Sequence, residues 1–432
     1  MISNSNKDQW KLWSYVAAHS FGGPAGQIAV IHRLIVDEKK ILNEERFLHA
    51  LHFCMVLPGP EAQQLATYIG WLMNGWRGGL LAGGLFILPG FLSILTLSYL
   101  YVFFQNSLMV KGIFYGMKPA IIAIVLSALF RISKKSLKSS FHWVLSIIAF
   151  ICLFFFNVSY PLIVIFAGVL GLFYGTYFQS QYDDIQIHEA FPSFKKTLKT
   201  FFIWVTLWTL PIFFILMIFG PHSTFHQMNL FFSKMSLISF GGAYAALNYV
   251  AQKAVHVFGW LQATEMVDGL AMAETTPGPL IQTVQFVGFM GAYRFSDLSL
   301  PYLSALIGSI LVTWMTFVPS FLWIFTFAPY VEFIRKLKFL RTVLEAIAAS
   351  VVGVILNLSI WFIFKVLFSS TSHIVYGPFS FDFPVFESID TFALGLCLFA
   401  SLLQIKFKLS LFKTLGLCIL LSLLFSKYDI LT

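Results

Sequence analysis

Charged residues are scarce in this chain. Only 11% of its 432 residues are Asp, Glu, Lys or Arg, whereas soluble domains carry about 25%. The hydrophobic class makes up 58%, with fifty Phe among it, which excludes a water-soluble domain and calls for lipid as solvent. Cysteine is scarcer still. Cys54, Cys152, Cys397 and Cys418 stand singly in apolar runs without CxxC spacing, so they read as small buried hydrophobes. HExxH, GxSxG and the P-loop are all missing, which removes protease, esterase and ATP-driven pump and leaves no enzyme expected. His49 and His52 are spaced i, i+3 but gather no further ligands, so neither metal nor cofactor is expected. The polar first nine residues lead into no short apolar segment with a cleavage site, so a cleaved signal peptide is not expected. The net charge of +9 is dispersed through short loops, which speaks for the lipid bilayer as partner and against nucleic acid.

What is present is a succession of apolar runs of about 20 residues. Two are broken, 12–36 at Gly22-Gly23-Pro24 and 47–73 at Pro58-Gly59-Pro60. Plainer ones follow at 79–104, 112–131, 141–156 and 160–178. After a polar stretch, 179–200, an unpaired run occupies 201–220. The order then repeats: broken runs 229–258 and 263–292, and plain runs 301–327, 341–364, 388–403 and 411–425. The expected fold is all-α, a polytopic membrane protein of about thirteen transmembrane helices. Its expected parts are a first repeat at 1–178, a linker with an extra span at 179–228, and a second repeat at 229–432.

Loop charges give the repeats their sense. With the N-terminus cytoplasmic, the basic clusters Arg131–Lys138, Lys195–Lys199, Arg335–Lys338 and Lys406–Lys413 all fall inside, as the positive-inside rule requires. The loop after the fourth run is basic in the first half, while its counterpart, 367–387, has no Lys or Arg. Equivalent loops thus lie on opposite sides, and the unpaired run supplies the inversion; re-entrant hairpins in place of the broken crossings would remove an even number from each half and leave it intact. The C-terminus is then periplasmic or extracellular. Inverted-topology repeats with discontinuous helices are the architecture of secondary transporters, which bind substrate near the midplane.

The breaks themselves suggest what is bound. Phe21 to Pro58 spans 37 positions, and Phe240 to Pro277 spans 37 again. Gly70 answers Gly288, and Leu88-Pro89 answers Val318-Pro319. A helix restarting after such a break leaves amide N–H groups unpaired and a positive dipole end exposed, which suits an anion. The alternative for any one break is a kink or close helix packing. The candidate substrate-binding residues are Gly22, Gly23, Pro24, Gln27, Pro58, Gly59, Pro60, Gln63, Gln64, Gly241, Gly242, Pro277, Gly278, Pro279 and Gln282, whose amides suit an oxyanion. Glu61, Glu274 and Arg33 are candidates for coupling or gating; a helix cap for the acids and a snorkelling Arg33 are the plain alternatives.

These residues resemble the chromate transporter family in its long, two-domain form. The first copy is Phe21-Gly22-Gly23-Pro24-Ala25-Gly26-Gln27-Ile28, then Pro58-Gly59-Pro60-Glu61-Ala62-Gln63-Gln64-Leu65-Ala66-Thr67-Tyr68-Ile69-Gly70 and Leu88-Pro89-Gly90-Phe91. The second is Ser239-Phe240-Gly241-Gly242-Ala243-Tyr244, then Thr276-Pro277-Gly278-Pro279 and Phe289-Met290-Gly291-Ala292-Tyr293-Arg294. The second copy departs in having Ala243 where the first has Pro24. The resemblance implies export of chromate across the bacterial inner membrane, giving chromate resistance, with sulfate a related anion. A carrier for sulfate or another anion, or an anion channel, stays open on the residues alone. A homodimer is the assembly to look for.

Overall fold

A computed structural model of the chain describes residues 6–104, 107–178, 193–240, 242–295, 298–331, 338–407 and 409–425. The polar stretch at 179–192 and the basic cluster at 332–337 lie outside the described residues, as does Gly241. The first helices are short: α1 (Asn6–His19), α2 (Gly23–His32, continued by a π-turn to Glu38) and α3 (Glu44–Val56). Next come α4 (Glu61–Phe104), α5 (Leu108–Ser136), α6 (Ser140–Phe156), α7 (Tyr160–Phe178) and α8 (Phe194–Phe219). The second half starts with α9 (Thr224–Ile238), α10 (Ala243–His256), α11 (Ala263–Thr275) and α12 (Thr283–Phe295). It closes with α13 (Pro301–Phe327), α14 (Lys338–Leu367), α15 (Thr391–Ile405) and α16 (Leu411–Phe425).

The helices stop and start where Gly and Pro demand it. Gly22 and Gly23, at φ 79° and 71°, sit in the left-handed region that a side chain disfavours. Asn43 caps α3 by accepting from the Arg46 amide. Among the described residues, α4, α5, α8, α13 and α14 are long and apolar enough to cross a bilayer. The shorter helices α6, α7, α15 and α16 are predominantly apolar. The helices of the broken runs have 10 to 15 residues each, about 15–22 Å at the α-helical rise, against a hydrocarbon core of about 30 Å.

Each broken run folds back on itself instead of continuing across. Lys11 and Leu12 of α1 share one surface pocket with Leu34, Ile41 and Met73, so α2 and the first limb of α4 both return to the level where α1 begins. In α4 the chain reverses at Asn74 and Gly75, whose backbones leave the helix, and Gly70 backs onto Gly78 and Ala82. In the second half, Phe231 of α9 meets Phe258 beyond the end of α10. Arg294 at the end of α12 grips Glu265 at the start of α11. The expectation that these four runs are spans interrupted midway therefore gives way to four returning pairs, because a ten-residue half-helix has the length to reach the midplane and no farther.

One element departs from the all-helical expectation. The stretch read as the basic-free loop 367–387 contains an antiparallel hairpin, β1 (Thr371–Tyr376) and β2 (Phe379–Pro384). Gly377, at φ 56°, and Pro378 make its two-residue turn, a Gly-first combination that matches strand twist. Phe379 and Phe381 pack on Phe155 at the end of α6, which anchors the hairpin over that end of the bundle.

Candidate functional site

The tips of the four returning pairs meet at the centre of the molecule, and they meet crosswise. The Gly59 amide donates to the Ser239 carbonyl at 3.0 Å, and the Gly278 amide donates to the Ser20 carbonyl, also at 3.0 Å. Each tip of one half is thus tied to the partner tip of the other. The packing beneath repeats the exchange. Gly59 abuts Ser320, next to Pro319 of α13, and Gly278 abuts Gly90, next to Pro89 of α4. Positive φ at both glycines, 132° and 109°, makes a side chain at either crossing strained.

The buried glutamines stitch these tips together. Gln27 donates to the Gly278 carbonyl at 2.5 Å, and Gln64 donates to the Pro58 carbonyl at 2.8 Å. Gln63 bonds Thr67, while Gln282 reaches the Ile87 carbonyl and Gln285. Lipid and a dry interior offer the break carbonyls no water, so amide donors must satisfy them.

A cavity of about 370 Å³ opens beside the crossing. Its floor is Gly22, Gly23 and Pro24 at the start of α2, Gly242, Ala243 and Tyr244 at the start of α10, and Glu61 at the start of α4. Arg131, Lys135 and Ser136, on the last turns of α5, line it on the other side, and α14 contributes Leu344 and Val351. The starts of α2 and α10 have no side-chain cap, so no capping residue competes for the amides of their first turns. The cavity therefore collects three helix N-termini, two basic side chains and one carboxylate. Lys135 lies with its ammonium 3.8 Å from the sulfur of Met55, at the same wall.

Glu274 lies just behind this floor. It is 1% exposed and accepts from the Tyr244 hydroxyl at 2.6 Å. Arg33 is elsewhere, exposed on the π-turn and paired with Glu38 at 3.4 Å. Of the expected site residues, Gly22, Gly23, Pro24, Glu61 and Gly242 border the cavity. Pro58, Gly59, Pro60, Pro277, Gly278 and Pro279 form the crossing beneath it. Arg131, Lys135 and Tyr244 were not among the sequence candidates. Their signal is the i, i+4 spacing of Arg131 and Lys135 in a run that stays helical to Ser136.

The sequence profile of the family described as "Chromate transporter" matches residues 8–172 and 226–424. The chain belongs to the chromate transporter family. It is 32% identical over 348 residues to a chromate transport protein of Pseudomonas aeruginosa, covering 78% of this chain and 76% of that one. It is 27% identical over 336 residues to a chromate transport protein of Cupriavidus metallidurans, covering 78% and 77%. An uncharacterized transporter of Methanocaldococcus jannaschii, MJ0718, is 25% identical over 357 residues, covering 83% and 84%. No solved structure matches. Each of the two matched stretches of this transporter carries two of the four tips, and every crossing joins one stretch to the other.

Proposed function

We propose that this transporter is a secondary carrier that binds chromate in the Arg131–Lys135 cavity and exports it across the bacterial inner membrane, giving chromate resistance. The observation that carries the reading is the charge the cavity collects. With Glu61 ionised, Arg131 and Lys135 leave one net positive charge. Three helix ends of roughly half a charge each bring the total to between two and three, enough to hold a tetrahedral dianion. Glu61 and Glu274 are positioned to tune that charge, and Arg33 has no part in it.

The proposed topology has nine crossings in place of thirteen: the second limb of α4, then α5, α6, α7, α8, α13, α14, α15 and α16. Their number is odd, so the termini remain on opposite sides. Residues 1–178 and 229–432 form two inverted halves joined by 179–228, and the reciprocal tip bonds, Gly59 to Ser239 and Gly278 to Ser20, support the two-fold relation between them. The cavity opens at the end of α5 and the start of α14, the side that carries the basic loops, which supports a cytoplasmic mouth. One charge crossing 100 mV is worth about 2.3 kcal/mol, so a dianion leaving an inside-negative cell gains roughly twice that.

The test is chromate flux in proteoliposomes with sulfate as competitor. Charge-assisted contacts are worth about 1.5–3 kcal/mol, so Arg131→Gln and Lys135→Gln should each weaken chromate binding by about one to two orders of magnitude. Cells that accumulate as much chromate with the transporter as without it, at verified expression, would refute the function.

A further inference from the structure

The far side of the crossing holds a second set of buried charges. Lys118 of α5 lies 3.3 Å from Asp268 of α11, and the other oxygen of Asp268 accepts from the Tyr101 hydroxyl at 3.0 Å. The Asp268 side chain is 4% exposed. Lys118 stands thirteen residues before Arg131 on the same helix, about 20 Å farther from the mouth of the cavity. Asp268 stands six residues before Glu274 on α11, about 9 Å beyond the cavity floor. One turn farther along, Arg294 holds Glu265 in a two-pronged pair at 2.7 and 2.8 Å. The pairs thus continue from the cavity floor towards the end of the bundle away from the cavity mouth.

Lys118 of the 29-residue helix α5 is 20% exposed and lies one turn inward of Tyr115, whose hydroxyl bonds Asp390 at the start of α15. An ionisable group inside the bundle is held by a partner, and that partner names its task. Here the partner is a carboxylate, itself an anion, held on Tyr101.

We propose that Lys118 is a second anion-contacting residue on the path, and that Asp268 occupies it as a tethered substitute for the anion until substrate arrives. This rests on the reading of the cavity as the anion's first site. An anion moving outward from Arg131 must exchange one cation for another, and Lys118 is the half-buried cation next in line on α5. Asp268 keeps that cation compensated while the site is empty. When the anion takes Lys118, Asp268 remains held by Tyr101, and its charge helps expel the anion outward. The pair also closes the far half of the path while the mouth is open.

The experiment uses the purified full chain, with equilibrium binding of radiolabelled chromate and flux in proteoliposomes as separate readouts. Lys118→Met should bind chromate within about threefold of wild type, because Arg131 and Lys135 are intact, yet transport at least tenfold more slowly. Lys118→Arg should recover most of the flux. Asp268→Asn frees Lys118 and should raise the stoichiometry from one chromate per chain towards two. Should Lys118→Met fold poorly, Lys118→Met with Asp268→Leu removes both charges together and should show the same split of binding from flux. Wild-type flux in folded Lys118→Met, or in that double variant, would overturn the proposal and leave the cavity standing. One anion per chain with unchanged affinity in Asp268→Asn would overturn the tethered-substitute role. Absence of chromate binding by the wild type would overturn the cavity reading and this proposal with it.

Discussion

Replacing Gly59 by Ala tests whether the crossed tips hold the transporter together. At φ 132° the backbone is in territory essentially reserved for glycine, and a side chain there costs about 1–3 kcal/mol. The added Cβ would come within 2.6 Å of both the Gln64 amide nitrogen and the Ser320 hydroxyl. Gln64 must then release the Pro58 carbonyl, and a buried acceptor left unpaired costs about 1–3 kcal/mol. The combined loss is roughly 2–6 kcal/mol. Gly23→Ala makes the internal comparison, since its φ is 71° but the nearest atom to an added Cβ is the Tyr244 hydroxyl at 3.9 Å. Only left-handed strain of about 1–2 kcal/mol then applies. Gly84→Ala, a helical position facing open space, should be neutral or stabilising by up to about 1 kcal/mol. The assay is the thermal inactivation midpoint of solubilised protein alongside flux. The expected order of stability is Gly84→Ala, then Gly23→Ala, then Gly59→Ala, with the last also inactive. Gly59→Ala matching Gly84→Ala in both readouts would refute the idea that the crossing is tightly determined.

Two further outcomes follow from the buried polar pairs. Tyr244→Phe removes the hydroxyl that Glu274 accepts from at 2.6 Å, and leaving that carboxylate short of a donor should cost about 1–3 kcal/mol, seen as a lower inactivation midpoint. Arg294→Leu breaks the pair with Glu265, but the arginine side chain is 29% exposed. Breaking a fully buried pair costs about 3–5 kcal/mol, so solvent should reduce the loss to about 1–3 kcal/mol. Adding Glu265→Leu should recover most of it, and a double variant no better than the single would count against the pair.

The helix boundaries at the breaks were legible because Gly and Pro act locally. Helix α2 starts at Gly23, α4 at Glu61 and α10 at Ala243, each within a residue or two of the punctuation that announced it. The return of each half-helix was not legible. Hydropathy sees a broken apolar run of about 25 residues, and a pair that turns back inside a shell of other helices is as apolar as one that crosses. The reversal at Asn74 and Gly75, by contrast, falls between the runs 47–73 and 79–104, where the sequence put it. Charge misled in another way: Arg131 and Lys135 were read with Lys134 and Lys138 as loop charges that set topology, whereas α5 runs on to Ser136 and turns these two towards the cavity.

The glutamines show why a polar residue beside a break is a poor guide to substrate. A break at the midplane frees carbonyls that neither water nor lipid can satisfy, so the nearest amides have a prior task. Gln27 and Gln64 spend their NH₂ groups on Gly278 and Pro58, and Gln282 spends its own on Ile87 and Gln285. A tetrahedral dianion requires donors in surplus after the backbone has been served. Around the cavity that surplus resides in groups with no acceptor role at all, the Arg131 guanidinium and the Lys135 ammonium, and in the uncapped starts of α2 and α10. The breaks build the site and the glutamines hold the breaks in place. On the proposed reading, discrimination between anions then falls to residues contributed by α5, a helix with no break in it.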